Sequence, residues 1–176
     1  MLHHYGITAK KAGCFLVAAL LFLPGCYSSK FVLGSADSSK VDRALFGDFV
    51  MTTDKGDVQL TIRNLDDHQC LVEWTDGKET ERLIGYFVDV RGRHFAELRE
   101  ITDNGSIPDE YQLVKFGLSP DHQKITVQNL SEDFMKSENV DSSFKLKVII
   151  EANLDNPKMY DAKPIVATRK AAATQP

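Results

Sequence analysis

Val58-Gln59-Leu60-Thr61-Ile62-Arg63 alternates apolar and polar side chains without a break. Successive side chains of an extended chain point to opposite faces, so a period of two makes a strand with one buried face. The same period recurs on both sides of this stretch. Cys70, Val72 and Trp74 alternate with Glu73 and Thr75. Ile84, Tyr86, Val88 and Val90 alternate with Asp89 and Arg91, and then come Val114-Phe116-Leu118 and Ile125-Val127. Between the runs lie Asp54-Lys55-Gly56-Asp57, Asn64-Leu65-Asp66-Asp67, Asp76-Gly77, Arg91-Gly92-Arg93 and Ser119-Pro120-Asp121. These residues tolerate positive φ or preset a turn. The links are short, so consecutive strands pair antiparallel. Strands are expected near 46–53, 57–64, 69–75, 80–91, 93–101, 111–118 and 123–129, with 102–110 as the longest loop.

Beyond residue 130 the period changes. Ser131 is placed to cap a short helix whose first turn carries Glu132 and Asp133, which suit the positive helix end. Residues 143–154 fit two patterns. Leu146, Ile150 and Leu154 fall at helical spacing, while Phe144, Leu146, Val148 and Ile150 alternate. Capping residues Asp141 and Ser142 and the stop at Asn156-Pro157 tip the reading to a helix. Pro164 to Thr168 is expected to add a final strand. The fold class is therefore mainly β. It is an antiparallel meander closing into a small barrel, with one or two short helices near the C-terminus before the last strand. Closure removes the exposed edges that an open sheet must protect.

The chain begins differently. A basic lead with Lys10 and Lys11 precedes an apolar run from Ala12 to Leu23, and Leu23-Pro24-Gly25-Cys26 closes it. A helix of about a dozen residues covers ~18 Å, short of the ~30 Å hydrocarbon core, so a signal segment fits better than a membrane span. Leu23, Gly25 and Cys26 resemble the lipobox of bacterial lipoproteins, although Pro24 stands where Ala, Ser or Thr is usual. The resemblance implies cleavage between Gly25 and Cys26, acylation of Cys26, and anchoring through fatty chains. Tyr27 takes the place of the aspartate that tends to retain such proteins in the inner membrane. The implied location is the cell envelope, at the outer membrane facing the periplasm. The expected organisation is a cleaved signal over 1–25, lipidated Cys26 with a flexible tether over 26–42, a barrel domain over 43–169, and a frayed tail over 170–176. The tether reading rests on small polar residues, with Phe31-Val32-Leu33 able to dock on the domain or lie on the membrane.

Two further resemblances concern the β region. Gly47-Asp48-Phe49 is similar to the G-x-W opening of lipocalins, with Phe in the Trp position, and a helix before the last strand is lipocalin-like. Tyr86-Phe87-Val88-Asp89, Tyr111 to Phe116 and Leu130 to Phe134 resemble segments of uncharacterised bacterial envelope lipoproteins. Both imply a lipocalin-like barrel and no reaction.

Composition narrows the partners. The formal charge is −4, and it falls by two more units once Lys10 and Lys11 leave with the leader. An acidic domain without basic-aromatic interleaving has no pull on nucleic acid. Of Cys14, Cys26 and Cys70, only Cys70 remains as a free thiol, and its strand face makes it a buried, inert one. His68, His94 and His122 show no metal-ligand spacing, so no metal or other cofactor is expected. Glu97 and Glu100, flanking Arg99, read as a solvated strand face rather than an acid pair. Asp103-Asn104-Gly105 reads as a turn. No nucleophile motif occurs, so an enzyme is not expected. What remains is the barrel interior, which holds either packed side chains or one small ligand. Phe49, Trp74, Tyr86, Phe95 and Phe116 are the candidate lining residues. The expected role is non-enzymatic binding of a small apolar or amphipathic molecule. The alternative is an envelope interaction or assembly module using an outer face or loop 102–110.

Overall fold

The computed structural model describes residues 27–53, 56–77, 79–161 and 163–171. The expected signal segment over 1–25 and Cys26 lie outside the described residues. The strands are β1 (Ser28–Ser29), β2 (Gly47–Thr53), β3 (Gly56–Asn64), β4 (Cys70–Thr75), β5 (Thr80–Val90), β6 (Arg93–Glu100), β7 (Tyr111–Leu118), β8 (Lys124–Asn129) and β9 (Ile165–Arg169). Strands β2 to β9 form a closed antiparallel barrel of eight. Pairing is consecutive from β2 to β8, and β9 enters between β8 and β2 to close the ring. The expected meander, closure and final strand are all present. Register is set by the inward faces, since a slip of one residue would turn each apolar set outward. Thus Leu60 stands opposite Phe49 on one side and Trp74 on the other.

Closure is fastened at the end of β9. The Arg169 guanidinium donates to the carbonyls of Phe46 (2.7 Å), Ala44 (2.6 Å) and His122 (2.8 Å), and lies 4.4 Å over the Phe49 ring. Gly47, at φ 146°, lies against it, and a Cβ there would collide with the guanidinium. Between them, Asp48 pairs with Arg63 at 2.7 Å and accepts from Thr61. Those contacts hold its carboxyl below the usual range. The Gly47-Asp48-Phe49 motif therefore has a local reason: space, an outward ion pair and an aromatic platform.

Between β8 and β9 lie α1 (Glu132–Ser137) and α2 (Ser143–Asn153). The Ser131 and Ser142 hydroxyls cap them, accepting from the Phe134 and Lys145 amides. The ambiguous segment is helical. Leu146, Ile149 and Ile150 turn inward, while Phe144 and Val148 remain 79% and 47% exposed. The strand alternation is thus split between faces.

The described residues form two apolar cores. One fills the barrel, around Leu60, Ile62, Val72, Leu83 and Ile125. The other lies outside it, where α1, α2 and residues 157–160 cover the wall through Phe95, Leu113, Leu130, Met135, Leu146 and Ile150. Strand β5 is consequently buried on both faces, with Leu83 and Phe87 in the inner core and Tyr86 and Val90 buried outside.

Residues 27–45 depart from the tether reading. Tyr27, Ser29, Leu33 and Ser39 are buried. Strand β1 pairs with Tyr111 and Gln112 of β7, and the Val32 amide donates to the Ser143 hydroxyl. The strap then crosses the barrel wall. The Leu33 and Gly34 amides donate to the Glu97 carboxylate at 2.6 and 3.3 Å. At the far end Ser39 accepts from the Phe87 amide, and its carbonyl meets His68 Nδ1. Glu97, read as solvated, is 0% exposed. Its burial pushes its carboxyl up, opposed by the bonds from the Leu33 and Gly34 amides. Small polar composition misled here because the strap buries few side chains and satisfies its backbone on distant acceptors. At the other terminus, the Lys170 amide donates to the Asp48 carbonyl, so Lys170 is tied to the barrel.

Candidate functional site: the barrel interior

The inward faces of β3 to β9 enclose a cavity of about 100 Å³. Its wall is mainly aliphatic, with Leu60, Ile62, Val72, Leu83, Leu98, Val114, Ile125, Val127 and Ile165. Trp74, Phe87 and Phe116 add aromatic surface, and Glu81 and Asn129 are the polar members. Gly85 keeps this space narrow at one level. A Cβ there would meet the Leu98 side chain at 2.5 Å, so the side chain of β6 occupies the room that a larger residue would take.

Of the five aromatic residues expected to line a cavity, Trp74 and Phe116 do so. Phe49 is fully buried in the inner core but lies under Arg169 at the closing seam, away from the cavity wall. Tyr86 and Phe95 correct the expectation, because both are buried outside the barrel. Phe95 sits in the outer core. The Tyr86 hydroxyl donates to the Gly34 carbonyl at 3.3 Å beneath the strap. The physical reason is the double burial of β5 and β6. Alternation marks two faces, and when both are apolar it does not say which looks inward. Phe87 and Glu81 were missed for the same reason. The available signal was Gly85, whose lack of a side chain marks the crowded inward face shared by Glu81, Leu83 and Phe87.

The polar groups gather at one end. Trp74 and Glu81 are direct cross-strand partners. Trp74 Nε1 and Glu81 Oε2 are shielded from solvent and have no hydrogen-bond partner. Gln112 Oε1 is likewise without one, and Gln112 stands opposite the lining residue Leu98. Burial raises the Glu81 carboxyl, and the nearby charges of Glu100, Asp76 and Glu79 raise it further.

A second space of about 520 Å³ opens at the other end, between residues 38–45, the β5–β6 hairpin and the β7–β8 turn. Its polar walls include Lys40, Asp42, Asp89, His94, Ser119 and His122. Leu45, Phe87 and Phe116 line both spaces and form the partition between them. The Phe87 and Phe116 rings are 5.0 Å apart, and His94 lies 5.7 Å from Phe116.

The remaining candidates for chemistry stay apart. His68 bonds the Ser39 carbonyl, His94 lies 3.3 Å from Asp89, and the His122 carbonyl serves Arg169. Among the described residues, no three His, Cys, Asp or Glu side chains converge as metal ligands. No helix among them is long and apolar enough to cross a membrane. Cys70 is buried in the inner core, and burial pushes its thiol up to about 12. The thiolate is the reactive form, so Cys70 is expected to stay silent to a disulfide reagent in the folded protein at pH 8. It should react in full within minutes once urea unfolds the chain. Rapid labelling of the folded form would contradict this placement.

No protein-family model, curated protein or solved structure matches the chain.

Proposed function

We propose that the protein is a lipid-anchored envelope protein that binds a small apolar or amphipathic molecule inside its barrel, without catalysis. The single observation that supports binding is the apolar cavity whose polar wall atoms, Trp74 Nε1 and Glu81 Oε2, lack partners. Buried polar groups are normally satisfied, so a site of this kind gains by receiving a ligand group or a bridging water. The anchor rests on the lipobox-like Leu23-Pro24-Gly25-Cys26, and the outer-membrane location on Tyr27 following it. Because Tyr27 is already buried in the outer core, an acylated Cys26 would hold the barrel close to the lipid surface, without a long tether.

Native mass spectrometry of the protein extracted from envelopes tests the binding role. A co-purified small molecule is expected, and it should be lost when Ala96, a small residue of the cavity wall on β6, is enlarged in Ala96→Phe. Overpacking of this kind costs about 1–3 kcal/mol, so thermal melting of the variant should still show a folded protein. A ligand-free native protein, or equal loading in the variant, would refute the carrier role. For the anchor, Cys26→Ser should move the protein from the membrane fraction to the soluble one.

A second reading is favoured by one feature. Phe144 and Val148 stand one turn apart on the exposed face of α2, a surface suited to an envelope partner. Loss of a crosslinked partner on Phe144→Ser, with ligand loading unchanged, would support it.

A further inference from the structure

We propose that the cavity selects a neutral, hydroxyl-bearing apolar ligand, with the hydroxyl seated between Trp74 and Glu81 and the carbon skeleton pointing toward Phe87 and Phe116. This rests on the binding role above and adds the ligand's chemical class.

The argument starts from the two unpartnered atoms whose residues line the cavity. Trp74 Nε1 carries a hydrogen and only donates, whereas a carboxylate oxygen of Glu81 only accepts. Their residues face each other across β4 and β5, so both atoms belong to one end of one cavity. A group that satisfies both must accept one hydrogen bond and donate another. A hydroxyl does this with a single atom, having one hydrogen and two lone pairs. An ammonium donates to Glu81 but leaves the indole N–H without an acceptor, and it carries a full charge into an aliphatic chamber. A carboxylate accepts from Trp74 but brings its charge against Glu81. Glu79, Asp76 and Glu100 add to that repulsion, since their charges already act on the Glu81 carboxyl. A pure hydrocarbon leaves both wall atoms as they are.

Size is consistent with a small skeleton. An apolar cavity of ~150 Å³ takes a benzene-sized molecule, so about 100 Å³ takes a group of roughly four to five carbons before any wall moves. Longer chains would have to displace the Phe87–Phe116 partition and reach the polar space beyond it.

Trp74 is the only tryptophan in the chain, so its emission reports this end of the cavity directly. The test is a titration of the whole protein at pH 7 with 1-pentanol, pentanoate and pentylammonium, read by Trp74 fluorescence and by calorimetry. Pentanol is expected to bind about tenfold or more tightly than either charged analogue. Equal or inverted affinities would overturn the hydroxyl assignment while leaving the binding role standing. No heat and no emission change with all three would overturn both. Glu81→Gln supplies a second measurement, because an amide both donates and accepts. The preference for pentanol over pentanoate should shrink at least about threefold in that variant. An unchanged ratio in a variant with wild-type circular dichroism would also overturn the assignment.

Discussion

Replacing Glu97 with alanine is expected to destabilise the protein by about 2–4 kcal/mol at pH 7, read as a drop in the urea midpoint with little change in slope. The carboxylate is fully buried and accepts from two backbone amides more than sixty residues earlier in the chain. Alanine leaves the Leu33 and Gly34 amides without acceptors in a site closed to water, and it opens a void beside Tyr86. Relief of the carboxylate's desolvation offsets part of the loss, which is why the expected cost stays below that of breaking a fully buried ion pair. Amide exchange at Leu33 and Gly34 should accelerate more than at β6, because the strap loses its main polar fastening.

The same group gives a pH signature. Burial raises the folded-state value of Glu97 above the free-carboxyl value of 4.5. As pH falls from 7, the folded protein therefore binds this proton before the unfolded chain does. Its contribution to stability rises as pH falls through the raised value and levels off below 4.5, the reverse of the usual acidic side chain. Glu97→Gln lacks the increment. Between pH 7 and pH 4.5 the melting temperature of the wild type should gain on that of Glu97→Gln. Parallel shifts in the two proteins would contradict the assignment, and other titrating groups cancel in the comparison.

Arg169→Ala is expected to cost about 3 kcal/mol, and Arg169→Lys about 2 kcal/mol. The guanidinium joins three segments with one side chain: the end of β9, the turn before β2 and the β7–β8 turn. Charged donors to carbonyls are the stronger hydrogen bonds, and the planar fork serves three acceptors at once. Lysine keeps the charge but not that geometry. Chemical denaturation of both variants checks the ranking. A smaller loss in alanine than in lysine would show that the seam closes without this contact.

Much of the β architecture was legible because its causes are local. The alternation in Val58–Arg63, the turn residues after Asn64 and the serine caps at Ser131 and Ser142 act through neighbours within a few positions. They produced strands and helices close to those observed. Trp74 and Phe116 were correctly placed inside, since their strands meet aliphatic neighbours on that face. Tyr86 and Phe95 were not, and Glu97 was taken for a solvated group. All three belong to β5 and β6, which are covered on the outside by the helices and the strap. Alternation records that a face is buried, and it cannot name what buries it.

By itself, then, the amino-acid order determined the elements, their antiparallel succession and the likeness of residues 23–26 to a lipidation signal. The tertiary structure alone decided which side of each strand faces the cavity and how the N-terminal residues wrap the wall. It also brought Trp74 Nε1 and Glu81 Oε2 to one end of the cavity without hydrogen-bond partners. Backbone propensity and turn chemistry act over a few residues. Ring closure, the Glu97 fastening and the residual internal space depend on contacts between segments far apart in the chain, and those exist only once the barrel has closed.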